Sequence, residues 1–267
     1  MLENGPYEIT NQKINHLQKL KKSTIENIKK CKTLINAQLY DKLITPNPVL
    51  PRLYCLPKVH KPGKQMRPIV SSINSPTYRL SKWLQYQLQR LEPFPSFSVK
   101  NRYEFINSIK NITIEENEVL VSFDVTALYP NVPLNIAIEL IEDWLISINV
   151  PKNEISEYMT LVNLCMKENV FQFQNLLYRQ TNGTAMGNPL SCLIANIFMS
   201  HFEILAKNTF PYFPRIWLRY VDDVFAVFNQ NEDNNTFINQ LNSVYNSIKF
   251  TYEMEKEKHG IIKNYIS

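Results

Sequence analysis

The sequence predicts an α+β fold, and three stretches carry that prediction. The stretch Val119–Val125, VLVSFDV, has the composition of a buried strand with Asp124 near its carboxyl end. The stretch Arg215–Phe228, RIWLRYVDDVFAVF, places two aspartates between two runs of strand-forming residues, which is typical of a tight hairpin. The stretch Asn234–Ile248 has the periodicity of an amphipathic helix. Such a mixture of hairpin strands and helices belongs to the α+β class.

The bulk composition is that of a folded chain with a mild excess of positive charge. Its 267 residues suffice for one large domain or two small ones, and 44% of them are hydrophobic, which excludes wholesale disorder. A net charge of +5 permits a nucleic-acid partner but does not demand one. The four cysteines lack zinc-ligand spacing, so we expect free thiols in a reducing compartment. Neither a signal sequence nor an apolar run of transmembrane length occurs, so we expect an intracellular protein without membrane association.

The first third of the chain predicts helices around a proline-rich segment. Residues 9–39 carry apolar side chains at three- and four-residue steps, which predicts a helix with lysines on its other faces. Those lysines could follow a phosphate backbone, although a solvated face is the commoner explanation. Seven prolines between Thr45 and Pro76 forbid a long helix there. Helices are expected again at residues 77–91 and 102–110.

The centre of the proline-rich segment is a basic ribbon, PKVHKPGKQMRPIVSS. Pro62-Gly63 is a turn signal, so Lys61, Lys64 and Arg67 can lie on two arms of one ribbon. Such a ribbon could present ammonium and guanidinium groups to a triphosphate. The alternative is a basic surface loop, which charge alone favours.

Helices and hairpins alternate in the second half of the chain. After a turn at residues 129–133, the periodicity predicts helices at about 134–146 and 152–167, a hairpin at 170–179, a helix after Pro189, and strands at 250–254 and 261–266.

A glycine-containing loop, QTNGTAMGNPLS, precedes the helix after Pro189. Gly183 and Gly187 lie in this loop, and a glycine lets a backbone come close to a ligand. Pro189 suits the first turn of a helix. A glycine turn before a core helix is the alternative interpretation.

The Asp222-Asp223 pair also has two interpretations. Aspartate is common in turns, so the pair could be a turn and nothing more. A metal site would require a third carboxylate, and Asp124 supplies one at the end of a strand. Nucleotidyl transfer by two metal ions needs carboxylates on rigid elements, with the ions about 3.5–4 Å apart. Because Mg²⁺ prefers oxygen ligands and keeps water and phosphate in its shell, few protein carboxylates suffice.

Four motifs in order carry a resemblance to reverse transcriptases. FDVTALYPNVP, GTAMGNPLSCLIANIFM and RYVDDVFAVF are similar to successive motifs of the palm, and KPGKQMRPIV is similar to the fingers motif that holds the incoming nucleotide. More narrowly, LPKVHKPG, RPIVSSINSPTY, SFDVTALYPNVP and TNGTAMGNPLS resemble Penelope-like retroelements, whose reverse transcriptase is related to telomerase. The resemblance runs from Leu56 to Phe228. It implies a palm, in which an antiparallel sheet packs on helices, together with fingers.

The resemblance implies a role for each candidate residue. Asp124, Asp222 and Asp223 would be the catalytic carboxylates. With the carbonyl of Val125, they would bind two Mg²⁺ ions, for which Mn²⁺ could substitute. Tyr129 would select deoxynucleotides by excluding the ribose 2′-hydroxyl. The remaining nucleotide-binding residues would come from the ribbon and the glycine loop: Arg67, Lys58, Lys61, Lys64 and Gly187.

The resemblance also implies how the chain is organised. A basic helical region would cover residues 1–44, the fingers 45–118 and the palm 119–267, with a helical and hairpin insertion at about 134–180. Because the chain ends before the thumb that follows the palm in this family, we expect a C-terminally truncated copy.

The expected function is that of an RNA-directed DNA polymerase from a retrotransposable element. Its partners would be an RNA template, a DNA primer and deoxynucleoside triphosphates, with no membrane partner. The alternative hypothesis is a truncated, non-catalytic remnant that binds nucleic acid. A telomerase-like function is a third hypothesis, weakened because no telomerase RNA-binding domain is recognisable ahead of the palm. A nuclear location is expected.

Overall fold

The computed structural model describes residues 5–57, 66–91, 93–167 and 169–255. The chain divides into two compact units, each made of two separate stretches. Unit 1 comprises Met1–Pro93 and Tyr129–Ala195, and unit 2 comprises Phe94–Leu128 and Asn196–Ser267. The predicted functional subdomains are instead continuous in sequence, and their assignment stays a prediction.

Strands and helices are distributed over both units. In chain order the strands are β1 (Tyr7–Ile9), β2 (Arg52–Pro57), β3 (Met66–Ser71), β4 (Glu118–Val125), β5 (Val170–Phe173), β6 (Leu176–Gln180), β7 (Ile216–Tyr220), β8 (Asp223–Asn229) and β9 (Phe250–Met254). The helices are α1 (His16–Lys30), α2 (Ala37–Leu43), α3 (Tyr78–Gln89), α4 (Arg102–Ile109), α5 (Leu128–Asn131), α6 (Leu134–Ser147), α7 (Lys152–Lys167), α8 (Ser191–Thr209) and α9 (Asn234–Val244).

Unit 1 contains a five-stranded sheet with the order β1-β6-β5-β2-β3. Strands β2 and β3 pair antiparallel. Strand β3 lies in the predicted ribbon, whereas the predicted turn at Pro62-Gly63 lies outside the described residues. Strands β5 and β6 form the predicted hairpin, in which Gln174 and Asn175 make the turn. Both turn residues have positive φ, 47° and 66°, which is the requirement of a type I′ turn.

The helices of unit 1 share an apolar core around α7. This helix contacts α1, α3 and α6. The side chains of Leu84, Leu145 and Leu161 are completely buried in this part of the chain. Burying a leucine contributes roughly 1.5–3 kcal/mol, so the packing around α7 is a main source of stability in unit 1.

The N-terminal region is not the single helix predicted over residues 9–39. It starts with strand β1, and α1 and α2 are separate helices. The Glu157 carboxylate of α7 accepts hydrogen bonds from the backbone N–H groups of Thr33, at 3.0 Å, and Leu34, at 2.8 Å. Asn36 then caps the start of α2 with its side chain. A long-range contact therefore interrupts the helix that the local periodicity predicts.

Unit 2 contains a four-stranded antiparallel sheet with the order β7-β8-β4-β9. Strand β8 lies inside the sheet, and its residues Val224 to Phe228 are all buried. The predicted hairpin and the strands predicted at 119–125 and 250–254 are present. The α+β class, with antiparallel sheets and helices, is confirmed.

The core of unit 2 is aromatic and lies on both faces of the sheet. On one face the rings of Phe228 and Phe237 lie 5.0 Å apart, so α9 packs on the sheet. On the other face Phe105 of α4 meets Phe225 edge to face at 5.4 Å. Such aromatic pairs add about 0.5–1.5 kcal/mol to the free energy of burial.

The other predicted elements agree with the structure in type and differ at their ends. Helix α7 has the predicted bounds, whereas α9 ends before the predicted residue Ile248. It ends there because Tyr245 has an extended backbone, and its ring packs 5.2 Å from that of Phe198. The strand predicted at 261–266 lies outside the described residues.

Candidate active site

Asp124 and Asp223 lie directly opposite each other on the neighbouring antiparallel strands β4 and β8. Counting by twos along each strand places them on the sheet face that also carries Leu120 and Phe225. Residues in this position have Cβ atoms roughly 4.5–5.5 Å apart, and like charges there are unfavourable. A bound cation at this sheet end would therefore relieve a repulsion.

Asp222 lies in the two-residue turn of the β7–β8 hairpin. Tyr220 pairs with Asp223, which leaves Val221 and Asp222 as the turn residues. Val221 has a φ of 58°, and Asp222 does not share this positive φ, which is the pattern of a type II′ turn. Glycine is usual at the first position, because a β-branched residue with positive φ is strained. The surrounding structure must hold this turn in place.

The turn is bonded to the end of β4 through the main chain. The backbone N–H of Val125 donates to the carbonyl of Asp222 at 2.9 Å. Val125 is buried, whereas Asp124 and Asp222 are half-buried and Asp223 is exposed. The strand end is therefore anchored, while its carboxylates are accessible to a ligand.

The donor atoms at this sheet end suit Mg²⁺ or Mn²⁺. The register sets Asp124 beside Asp223, the adjoining turn carries Asp222, and carboxylate oxygens are the ligands these cations prefer. Within the described ranges, no three His, Cys, Asp or Glu side chains are close enough together to hold a metal ion. The fit rests on donor chemistry and backbone register, and the roles of the three aspartates and of the Val125 carbonyl stay predictions.

A buried ion pair, Arg219 with Glu203, lies next to the turn of the hairpin. The guanidinium Nε donates to Glu203 Oε1 at 2.7 Å, and Nη2 donates to Oε2 at 3.2 Å. Sequence motifs did not identify this pair. The signal that could have found it is a charged residue inside each of two apolar segments, IWLRY and IFMSHFEILA.

In unit 1 the glycine loop packs against the turn that carries Tyr129. The backbone N–H of Thr184 donates to the carbonyl of Tyr129 at 2.8 Å. Gly183 has a φ of 68°, and a Cβ on it would overlap the carbonyl groups of Tyr129 and Pro130. Close backbone approach therefore requires glycine at this position.

The same loop also packs against β3, the strand that carries Arg67. The backbone N–H of Val70 donates to the carbonyl of Met186 at 2.8 Å. Gly187 has a φ of 119°, and a Cβ on it would lie 2.5 Å from the carbonyl oxygen of Val70. Packing on β3 thus accounts for this glycine, and its predicted approach to a nucleotide remains untested.

The ring of Tyr129 has a second point of attachment. Its hydroxyl forms a hydrogen bond of 3.2 Å with Sγ of Cys192, an exposed residue at the start of α8. The main chain and the ring of Tyr129 are thus both held within unit 1. A ring that excludes the ribose 2′-hydroxyl by its size, as predicted for Tyr129, would have to be fixed in position.

The predicted cationic residues are only partly described. Arg67 lies on β3 opposite Leu56 and is exposed. Lys58, Lys61 and Lys64 lie outside the described residues.

The fold and the site together define the class of protein. An antiparallel sheet on helices, with aspartates at a strand end and in the adjoining turn, is the palm arrangement of nucleic-acid polymerases. The chain belongs to the reverse transcriptase (RNA-dependent DNA polymerase) family, whose model matches residues 59–263. That match extends over every element from β3 to β9.

Solved polymerases share this fold at low sequence identity. A telomerase from Candida tropicalis, in complex with a TWJ fragment of telomeric RNA, is similar with a TM-score of 0.56 and 15% identity over 78% of this chain. The RNA-dependent RNA polymerase of BmCPV in its quiescent state is similar with a TM-score of 0.56 and 13% identity over 91% of this chain. The chain spans 41% of that telomerase and 24% of that viral polymerase.

No curated protein matches the chain. In the described part of the structure, no helix is long and apolar enough to span a membrane.

Proposed function

We propose that this chain is an RNA-directed DNA polymerase that transfers a nucleotide from a deoxynucleoside triphosphate to a primer 3′-hydroxyl. The observation that carries the proposal is the direct opposition of Asp124 and Asp223 in a member of the reverse transcriptase family. The turn that holds Asp222 is bonded to the same strand end, which supports a common role for the three carboxylates.

In this proposal the carboxylates hold two Mg²⁺ ions, for which Mn²⁺ can substitute. Asp124 and Asp222 are the direct ligands, Asp223 completes the acidic pair, and the Val125 carbonyl contributes a neutral oxygen. When bound, the ions would activate the primer hydroxyl and stabilise the leaving pyrophosphate.

Residues of unit 1 bind the nucleotide in this proposal. The exposed guanidinium of Arg67 contacts the triphosphate, with Lys58, Lys61 or Lys64 as companions. The ring of Tyr129 excludes a 2′-hydroxyl, and its attachment to Cys192 supports a fixed position. Gly187 permits a close approach of the main chain to the nucleotide.

The narrower assignment is to a Penelope-like retrotransposable element. It rests on the four motifs LPKVHKPG, RPIVSSINSPTY, SFDVTALYPNVP and TNGTAMGNPLS. An element that copies itself into chromosomal DNA acts in the nucleus, so the proposal includes a nuclear location. A fluorescent fusion of the chain that stayed outside the nucleus would contradict that location.

The decisive experiment is metal-dependent primer extension on an RNA template. Loss of a residue that only supports a metal ligand typically lowers metal affinity or activity by about 10–100-fold. Because Asp222 is proposed as a direct ligand, Asp222→Asn should lower incorporation by at least about 100-fold. Asp143→Asn, which changes an exposed carboxylate of α6, is the matched control and should leave incorporation unchanged.

Two results would contradict the proposal. One is a wild-type chain that incorporates no more nucleotide than Asp222→Asn. The other is incorporation that does not depend on Mg²⁺ or Mn²⁺. Binding of a primer–template duplex without incorporation would favour the non-catalytic alternative.

A further inference from the structure

We propose that Arg219 and Glu203 are positioning residues, which hold the strained turn before Asp222 in the conformation that the metal site needs. The proposal rests on the proposed function, because it assigns the pair to the metal-binding hairpin. All the contacts of the Arg219–Glu203 pair used here lie within unit 2.

All three nitrogens of the Arg219 guanidinium donate hydrogen bonds. The Arg219 side chain is 1% exposed, and that of Glu203 is 0% exposed. Two of its nitrogens, Nε and Nη2, bond the carboxylate of Glu203. The third, Nη1, donates to Oδ1 of Asn196 at 3.0 Å and to the carbonyl of Val221 at 3.2 Å. The guanidinium therefore links a rigid helix to the turn.

Glu203 is held by a helix and by a tryptophan of the neighbouring strand. It lies on α8, a helix of 19 residues. Its Oε1 also accepts a hydrogen bond from Nε1 of Trp217 at 2.9 Å. Trp217 and Arg219, both on β7, therefore bond the same carboxylate, which fixes the orientation of the Arg219 guanidinium. A planar, bidentate pair of this kind restricts orientation more than a lysine could.

The turn itself is held by bonds to both of its carbonyls. Val221 has a positive φ, which costs free energy for a β-branched residue and persists only when the surroundings enforce it. Arg219 bonds the carbonyl of Val221, and the N–H of Val125 bonds the carbonyl of the next residue, Asp222. Two successive carbonyls of the turn are thus held from two directions.

Positioning and stability can be separated by the choice of substitution. A buried ion pair is weak evidence for stability, because well-packed apolar residues of similar volume are often as stabilising. The double substitution Arg219→Met with Glu203→Leu therefore removes the bond to Val221 without leaving a buried charge unpaired. The single substitution Arg219→Lys keeps the positive charge but removes the bidentate geometry.

The matched control is a partly exposed pair of unit 2, Arg215 with Glu118. It also joins two distant segments, with an N–O distance of 2.7 Å, but the arginine is 47% exposed. The double substitution Arg215→Gln with Glu118→Gln removes an ion pair of the same composition without changing a bond to the turn.

The first measurement is hydrogen exchange of the Val125 amide in the full chain, without metal. Its protection reports the bond to Asp222. We expect exchange at Val125 to accelerate at least about 10-fold in both Arg219 variants, while amides around Val121 and Ala226 stay protected. A merely structural loss would accelerate exchange throughout the sheet.

The second measurement is direct binding of Mn²⁺, followed by electron paramagnetic resonance. We expect the affinity to fall by about 10–100-fold in both Arg219 variants and to be unchanged in the control. Thermal unfolding establishes that each variant is folded. If the double variant does not fold, Arg219→Lys carries the test.

The outcomes separate this inference from the proposed function. Folded Arg219 variants with wild-type exchange at Val125 and wild-type Mn²⁺ affinity would overturn the inference, even if primer extension is observed. A Mn²⁺ affinity in Asp222→Asn equal to that of the wild type would overturn it as well. Weakened Mn²⁺ binding in a chain that extends no primer would support the inference while the proposed function fails.

Discussion

Asp124 lies directly opposite Asp223 in the β4–β8 ladder, on the same face of the sheet. Because like charges in this position are unfavourable by roughly 0.2–1 kcal/mol, Asp223→Asn should stabilise the chain when metal is removed with EDTA. The melting temperature should rise by roughly 0.4–4 °C for a protein of this size. The measurement is thermal unfolding followed by circular dichroism.

The same variant should respond differently to metal. Added Mg²⁺ should stabilise the wild-type chain, because a ligand that binds only the folded state shifts the unfolding equilibrium. Asp223→Asn should gain less, and Asp143→Asn should behave like the wild type. Equal stabilisation of all three chains by Mg²⁺ would exclude this carboxylate pair from the metal site.

The glycine loop offers a test of packing. Gly183→Ala should lower the free energy of unfolding by at least about 2 kcal/mol, because overpacking against the Tyr129 and Pro130 carbonyls adds to the strain of a positive φ. The exposed neighbour Asn182 supplies the control, and Asn182→Ala should change stability by less than about 0.5 kcal/mol. Urea unfolding measures both. Similar effects of the two substitutions would refute the close approach.

The partly exposed ion pair of Arg215 with Glu118 should make the free energy of unfolding depend on pH. Hydrogen bonding from Arg215, whose Nε and Nη2 each lie 2.7 Å from a carboxylate oxygen, lowers the pKa of Glu118 below its ordinary value. A lowered pKa in the folded state contributes stability that is complete above the unfolded pKa of about 4.3. That stability is lost as the pH falls through the folded pKa.

Glu118→Gln should therefore lower stability at pH 7 by at most about 1 kcal/mol, since solvent screens the partly exposed arginine. The difference from the wild type should shrink toward zero below about pH 4. Urea unfolding at several pH values between 7 and 3 measures it. A difference that grew on acidification would have the wrong sign for this ion pair.

The cysteines differ in burial, so they should differ in their reactivity toward alkylating reagents. Burial raises the pKa of Cys31 to about 11 and that of Cys165 to about 12, whereas Cys192 is exposed. Because the thiolate is the reactive form, iodoacetamide at pH 8 should modify Cys192 and spare Cys31 and Cys165 in the folded chain. Peptide mass spectrometry should find the two buried thiols modified only after unfolding. Equal modification before and after unfolding would contradict their burial.

The strands that carry the aspartates could be predicted because their signal is local. β-Branched and aromatic residues surround Asp124 and the Asp222-Asp223 pair, and the two carboxylates of that pair interrupt an apolar run. The register that sets Asp124 opposite Asp223 follows only from the folded sheet. Sequence therefore predicted the strands and the turn that carry the aspartates but not how the aspartates face each other.

The remaining features depend on contacts between distant residues. The Glu157 carboxylate ends a helical pattern 123 residues away in sequence, at Leu34. The Arg219–Glu203 pair joins a strand to a helix across 16 residues. Neither partner carries a local signal for the other, since a charged residue in an apolar segment indicates burial but not its partner.

If the chain is the proposed polymerase, replacing Tyr129 should change its selection between ribonucleotides and deoxynucleotides. Removing the ring by Tyr129→Ala should raise incorporation of ribonucleotides relative to deoxynucleotides by about 10-fold or more, because a 2′-hydroxyl would no longer be excluded by size. Tyr129→Phe keeps the ring and removes the hydroxyl that bonds Cys192, so the ratio should stay within about 3-fold of the wild type. Single-nucleotide incorporation at varied nucleotide concentration separates KM from kcat for each sugar. A ratio that changes in Tyr129→Phe as much as in Tyr129→Ala would assign selection to the hydroxyl instead of the ring. An unchanged ratio in Tyr129→Ala would remove Tyr129 from sugar selection altogether.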